Sequence, residues 1–483
     1  MLQTLKNAWK TKELRSKILF TLFILLLYRI GTVIPVPFVE ANAFAGQFDG
    51  TILGQMDILS GGSLSTATIF ALGVTPYINA SIIIQLLAVV FPRLGELAKN
   101  DKEKMNSITR VVTVILAIVT AVGYYFLLKN NGMLVNAADP AQNPKMAWFY
   151  GIVIIACYCA GASVIMWLGE RINEKGIGNG ISMILFANII SSLPSLIYRL
   201  VDLAVATYSY DEKAWLYGII STAFALFIIA AIVALFVFVI WVTGSERRIP
   251  ITYAKRVVGR KMYGGQSSNL PIKLNMTGVM PIIFASSIVS LIPTILMLCG
   301  ITEKSEGFWG GACRVLGSNG VVYPVSLFIL IIAFAYFYTQ ITFDPVEVSN
   351  NIKKQGGTIP GIRQGRPTSD YIRKILNKVT LVGALFLGIV AVLPVIAGPH
   401  IFQHILEWII AGGYADPDGM QWTISGNQLV QIPTREVIAN AASSYANVFT
   451  FGGTSILIIV GVVIETFRGL ESELTMRNYK GFL

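Results

Sequence analysis

Apolar runs of roughly twenty residues recur along the chain, separated by polar stretches. A helix needs about that length to cross the hydrocarbon of a bilayer. Ten such runs predict ten transmembrane helices, at residues 18–36, 69–91, 108–128, 148–168, 181–200, 216–242, 279–299, 323–343, 376–397 and 448–467. The fifth is the least regular, because Asn188 and Pro194 interrupt it. The first follows a basic stretch but runs on to Val36 without a small-residue cleavage site, so it reads as a retained span.

Between the first two runs lies a shorter apolar stretch, 52–59, ended by Gly61-Gly62. It is too short to cross. It reads either as a re-entrant segment, tolerated only inside protein or a water-filled cavity, or as an external loop lying on the surface. Beyond the ninth run, 401–410 has the pattern of an amphipathic helix at the interface. Residues 421–432, centred on Ser425-Gly426-Asn427, read as a β-hairpin, and Thr434 is placed to cap a short helix through Ala442.

Composition agrees with the membrane reading. Of 483 residues, 54% are hydrophobic and 13% charged, with a mean hydropathy of +0.66. Soluble domains carry about 25% charged residues, so lipid has to cover much of this surface. Charge sets the orientation. With a cytoplasmic amino terminus and alternating spans, roughly 29 of the 37 Lys and Arg fall on the cytoplasmic side. Both termini are then inside, and the number of spans is even. Five spans plus five suggest two halves of inverted topology, 1–207 and 208–483, joined by a polar external link.

Two cytoplasmic loops, 244–275 and 344–375, are long, basic and marked by Gly-Gly turns. They fit ordinary positive-inside topology, and equally a docking surface for a large partner with negative charge, such as an ATPase or ribosomal RNA. The external loop 398–447 is also long and reads as a surface insertion.

Several classes of chemistry find no support. Ion-coupled transport usually needs ionisable groups near the midplane, and away from their ends the predicted spans hold very few, Arg29 in the first and, near the inner end of the last, Glu465. No phosphate-binding glycine loop and no nucleophile constellation is visible. The two histidines, His400 and His404, do not suggest a metal site, and no cofactor is expected. Cys157 and Cys159 point to different faces of one helix; Cys299 and Cys313 flank an external loop, where pairing is open. The chain is not expected to be an enzyme. A conduit for something bulky and varied needs a deformable apolar constriction that rejects ions by dewetting, although isoleucines in a span more often face lipid or pack.

Several long motifs are specific. Ser60-Gly61-Gly62 leads into Ile69-Phe70-Ala71-Leu72-Gly73, Pro76-Tyr77-Ile78 and Ala80-Ser81-Ile82-Ile83-Ile84-Gln85-Leu86-Leu87. Gly176-Ile177-Gly178-Asn179-Gly180-Ile181-Ser182, Tyr253-Ala254-Lys255-Arg256 and Phe284-Ala285-Ser286-Ser287-Ile288 follow. Pro360-Gly361-Ile362-Arg363 and Phe451-Gly452-Gly453-Thr454-Ser455 complete the series. In this order they closely resemble the bacterial SecY family, the SecY/Sec61-alpha channel subunits of protein translocases.

The resemblance implies an all-α, ten-helix clamshell around an hourglass pore. It carries a pore ring onto Val74, Ile78, Ile181, Leu185, Ile283 and Ile458. It carries a plug helix onto Ile52, Leu53, Gln55, Met56, Asp57, Ile58 and Leu59. A lateral gate between spans two and three and spans seven and eight would include Gln85, Asn275, Ser286 and Ser287. The basic loops become docking surfaces for the SecA ATPase and the ribosome, through Arg247, Arg248, Lys255, Arg256 and Arg363. The implied partners also include SecE, SecG, preprotein signal sequences and membrane lipid, and the implied location is the bacterial cytoplasmic membrane. The external loop 398–447 is longer than the common family form. An ion-coupled secondary transporter is the alternative, since inverted repeats and broken helices suit it as well.

Overall fold

The computed structural model describes residues 2–40, 44, 52–135, 146–206, 214–253, 256–258, 261–263, 267–298, 308, 310–311, 315, 320, 322–411, 420–425, 428–433, 438, 442 and 452–480. Among these, seven helices are long and apolar enough to cross a membrane, and an eighth if a bent pair counts as one span. The chain is a mostly helical, multi-pass membrane protein.

In the first half, α1 (Leu2–Lys10) lies ahead of α2 (Lys12–Gly31). The first apolar run was expected to stay helical to Val36, but α2 stops at Gly31. Pro35 and Pro37 cannot continue the helical ladder; the last helical position is glycine because the ring of Phe70 fills the space a side chain there would need. The chain instead bridges back at Pro35 to Thr68.

The short apolar stretch forms α3 (Ile52–Ser60), and residues 61–74 follow as turns. The second apolar run therefore becomes helical at α4 (Thr75–Val90), later than its hydropathy suggests, with Pro76 in the first turn. Pro92 then breaks it, and α5 (Pro92–Asn100) leaves at 118°. Asp101 caps α6 (Lys102–Asn130) by accepting the Lys104 N–H at 3.2 Å. Hydrogen bonds from Lys104 hold the Asp101 carboxyl below its usual range. Next come α7 (Ala147–Lys175), α8 (Gly180–Ala206) and α9 (Ala214–Thr243).

The α7–α8 turn explains its own glycines. A side chain at Gly180 would strike the Gly169 carbonyl, and Gly178 has φ +75°. Asn173 Oδ1 accepts the Gly180 N–H at 2.7 Å and Asn179 Oδ1 that of Ile181 at 3.1 Å, so the first donors of α8 are satisfied.

The two long basic loops, marked in sequence by Gly-Gly turns, are joined by one sheet. The first carries β1 (Glu246–Tyr253), β2 (Arg256–Val258), β3 (Lys261–Tyr263) and β4 (Ser267–Lys273). The second carries α12 (Pro345–Lys354) and β5 (Gly357–Thr358), between α11 (Val322–Thr342) and α13 (Arg366–Ala397). β1 pairs antiparallel with β4 on one side and with β5 on the other. Ile249, Ile251, Ile272, Ile352, Ile359, Ile372 and Leu376 close a small apolar core beneath this sheet.

Ahead of α11 runs α10 (Met280–Leu298), whose apolar portion 280–291 is shorter than a full span. Beyond α13, a π-helical turn (Gly398–Phe402) leads into α14 (Gln403–Ala411). Leu406, Ile409 and Ile410 of α14 are buried while Ile405 and Trp408 are exposed, the amphipathic division its spacing predicted. The expected hairpin is present as β6 (Met420–Ser425) and β7 (Gln428–Pro433), paired from Met420–Pro433 to Ser425–Gln428. Of the helix expected from Thr434 to Ala442, Ile438 and Ala442 are described, helical and buried beside Leu406 and Ile410, while Thr434 itself and the pairing of Cys299 with Cys313 lie outside the described residues. α15 (Gly452–Lys480) ends the fold.

Candidate functional site

The main apolar core gathers buried residues from Ile24 of α2 to Ile464 of α15. Val74, Ile78, Ile181, Leu185, Ile283 and Ile458 all belong to it, exposed by 2, 7, 8, 1, 6 and 3%. None faces outward to lipid.

Five of the six converge. Val74 and Ile78 at the start of α4, Leu185 of α8, Ile283 of α10 and Ile458 of α15 line one cavity. Met56 and Leu59 of α3 close it on another side, and Thr75, Ser286, Ser287 and Ser290 supply its few polar atoms. Its volume is about 40 Å³. At roughly 10–15 Å³ per water, a few waters fit and a polypeptide does not. Ile181 is placed differently: its Cδ1 packs onto Gly169 of α7, one turn away from the cavity.

α3 is held by its carboxyl end. Asn188 Nδ2, from the middle of α8, donates to the Leu59 carbonyl at 2.7 Å. Asp57 Oδ1 accepts the Ser65 N–H at 2.8 Å, and the Tyr124 hydroxyl of α6 donates to the Leu64 carbonyl at 2.5 Å. The turns after α3 are thereby fastened to α6. Ile52, Leu53 and Gln55 occupy the same helix, with side chains outside the described residues; Met56, Asp57, Ile58 and Leu59 are half-buried.

Gln85 joins two helices across a seam. The Tyr338 hydroxyl of α11 donates to Gln85 Oε1 at 2.6 Å, while Gln85 Nε2 donates to Ser81 at 2.9 Å. Phe284 of α10 packs against the Tyr338 ring with centroids 5.0 Å apart. Ser286 and Ser287 open onto the cavity just described, and Asn275 is buried in the β4–α10 connection.

The basic candidates divide by element. Arg247 and Arg248 project from β1 and are exposed, with Arg248 Nε on Glu246 at 2.7 Å. Exposed Arg363 sits on the tight turn after β5, where Gly361 and Gly365 adopt φ +80° and +94°. Its carbonyl accepts the Thr368 hydroxyl at 2.8 Å, and Ile359 anchors the turn in the core below. Burial pushes the Lys273 ammonium below its usual range, the charge of Arg468 adds to this, and Glu246 opposes it. Arg256 lies in β2 with its side chain outside the described residues, as is the whole of Lys255.

Tyr338, Asn188, Thr75 and Ser290 were not singled out as site residues from sequence. Asn188 left a trace as the polar residue that weakens an apolar run. A tyrosine or hydroxyl residue inside a span leaves none.

A polytopic helical bundle with a closed apolar waist, a short helix packed against that waist and a basic platform outside it defines a channel-type membrane protein. Comparison with known proteins is specific. The SecY family model matches residues 68–414. Protein translocase subunit SecY of Streptomyces scabiei is 38% identical over 494 residues, and that of Mycobacterium tuberculosis (strain ATCC 25618 / H37Rv) 38% over 499, each covering 100% of both chains. A solved protein-conducting channel aligns with a TM-score of 0.57 at 16% identity, over 95% of this chain and 92% of that one. Sec61 in the canine ribosome-channel complex aligns at 0.53 and 17%, with the same coverage. The chain belongs to the SecY family.

Proposed function

We propose that this chain is the pore-forming subunit of a protein-conducting channel, which passes unfolded preproteins across the membrane and releases apolar segments sideways into lipid. The observation that carries the reading is the shared cavity of Val74, Ile78, Leu185, Ile283 and Ile458, closed by Met56 and Leu59. An aliphatic waist yields to side chains of any chemistry and, when shut, excludes ions by dewetting. Ile181 completes the ring once its side chain turns from Gly169. α3 is the plug, withdrawn during passage.

The seam marked by Gln85 and Tyr338 is the lateral exit, with Ser286 and Ser287 at its inner edge and Asn275 at its cytoplasmic end. Leaving there is favourable for an apolar segment by about 25 cal/mol per Å² transferred from water. The chain acts as a conduit rather than a catalyst, and an outside motor or translation drives the substrate. The ten spans group as 1–207 and 208–483 in inverted halves. Both termini lie in the cytoplasm of a bacterium, and the channel sits in its inner membrane.

The joined β1–β4–β5 platform, with Arg247, Arg248, Lys255, Arg256 and Arg363, suits the ribosome and the SecA motor. SecE and SecG are the partner subunits. The solved relative within a ribosome-channel complex supports the ribosomal part of this reading. Ion-coupled transport gains no support from the relatives, which are named as protein translocase subunits.

The test is reconstitution of the chain with its partners and motor in proteoliposomes. Protease-protected, signal-bearing preprotein is the expected result. Gradient-driven uptake of a small solute without preprotein entry would overturn the reading.

A further inference from the structure

An arginine inside a membrane helix is costly unless something accepts its charge. Arg29 lies in the last turn of α2, half-buried, and its Nη1 is fully enclosed with no hydrogen-bond partner among the described residues. No carboxylate pairs with it there. What Nη1 faces is the carboxyl end of α3. A Cβ at Gly61 would lie 2.9 Å from Arg29 Nη1 and 2.8 Å from Asn188 Oδ1.

Gly61 is the residue that ends α3. It has φ +69°, its N–H donates to the Ile58 carbonyl at 3.1 Å, and the Gly62 N–H donates to the Asp57 carbonyl at 2.9 Å. This is a Schellman closure, in which a left-handed glycine satisfies two terminal carbonyls. Asn188 Nδ2 takes a third, that of Leu59. The carboxyl end of a helix carries about half a negative charge, and Arg29 Nη1 lies beside the glycine that closes it. The Tyr28 hydroxyl, also buried, lies beside Asn188.

We propose that Arg29 is a positioning residue for α3: its guanidinium, together with Asn188, holds the carboxyl end of the plug in the shut channel. The inference rests on reading α3 as the plug. Charge, not shape, is the agent. A helix end is a weaker counter-charge than a carboxylate, so the seat is firm enough to hold and weak enough to release. When α3 withdraws, the water that enters its place hydrates the guanidinium, and no charge is left stranded in a dry site. Gly61 is required twice, by its backbone angle and because a Cβ there would clash with both Arg29 Nη1 and Asn188 Oδ1.

The experiment uses the complete reconstituted complex, with cysteines at Met56 and Ser290, two residues lining the same cavity. Disulfide formation reads how often the plug is seated, and resting ion conductance reads the seal. Arg29→Gln is expected to lower the seated-to-displaced ratio about fivefold and raise resting conductance, and Arg29→Lys to restore both. Asn188→Ala, which keeps the charge but removes the Leu59 bond, gives a second and independent loss of seating.

Seating and conductance unchanged in Arg29→Gln, or equally impaired in Arg29→Lys, would overturn the proposal. If Arg29→Gln does not accumulate in the membrane, Arg29→Lys against Asn188→Ala decides: wild-type seating in Asn188→Ala overturns the clamp. A complex that passes no preprotein even without substitutions defeats the channel reading instead, whatever the disulfide yields.

Discussion

The Tyr338 hydroxyl and the Gln85 side-chain oxygen lie 2.6 Å apart, in a hydrogen bond that ties α11 to α4. It is a polar fastening in an otherwise apolar seam. Gln85 is kept in register by its second bond to Ser81, and Tyr338 by the ring of Phe284. Tyr338→Phe keeps the packing and deletes one bond worth about 1 kcal/mol. Export of a preprotein with a weakly apolar signal is expected to rise about fivefold relative to one with a strong signal. An unchanged ratio would mean that the bond is broken at no cost during opening.

The waist makes a separate prediction. Leu185 is 1% exposed and lines the cavity with Val74, Ile78, Ile283 and Ile458. Leu185→Asn places an amide among aliphatic groups, and water follows it. Resting conductance of the reconstituted channel is expected to increase, with export of strong-signal preproteins retained. Leu185→Met, similar in volume and apolar, is expected to remain tight. Equal conductance in the two variants would remove Leu185 from the seal.

The platform is tested at Arg363. Its turn is fixed by Ile359 below, by Gln364 Nε2 on the Gly357 carbonyl at 3.1 Å and by the glycines at 361 and 365. The side chain itself is exposed, so reversing its charge leaves the fold intact. Arg363→Glu is expected to abolish motor-driven export while the protein accumulates and resists protease as before. Normal export would take Arg363 out of the docking surface. Because β5 pairs with β1 through Thr252–Thr358 and Tyr253–Gly357, Thr358→Pro is expected to weaken docking through residues of both loops, without touching an arginine.

How legible all this was in the sequence depended on the length scale of the signal. Runs of twenty apolar residues are dictated by the bilayer, and they located the long helices. The exceptions were places where a neighbour, not hydropathy, decides the backbone. α2 ends ahead of Pro35 and Pro37, α4 starts after a turn anchored by Tyr124, and Pro92 swings α5 through 118°. The sheet beneath the basic loops was missed because β1 and β5 are some hundred residues apart, and two-residue β5 has no pattern of its own. The hairpin at 420–433 was legible because both strands and the turn are local. For the site, motif resemblance picked out aliphatic positions, and five of those six meet at one cavity. Partners such as Tyr338 stayed invisible, since a hydrogen bond between distant helices leaves no trace in either helix alone.

The amino-terminal end of α2 and the carboxyl-terminal part of α15 give the last prediction. Lys17 Nζ of α2 reaches both oxygens of Glu473 in α15, at 2.8 and 3.0 Å, joining two helices 456 positions apart in the chain. The pair is about one-third exposed, 36% and 33%, so solvent screens it. Such pairs contribute about 0.2–1 kcal/mol. The pair is supported by packing: Leu14 of α2 and Leu470 of α15 are buried in one small cluster with Ile177. Lys17→Glu alone sets two carboxylates face to face and is expected to lower the thermal midpoint of the detergent-solubilised protein. Glu473→Lys alone does the same with two ammonium groups. The double exchange is expected to recover most of the loss at low ionic strength, and the recovery should shrink as salt rises and the Debye length falls. Additive losses in the double variant would mean that the helices are held by Leu14 and Leu470 alone.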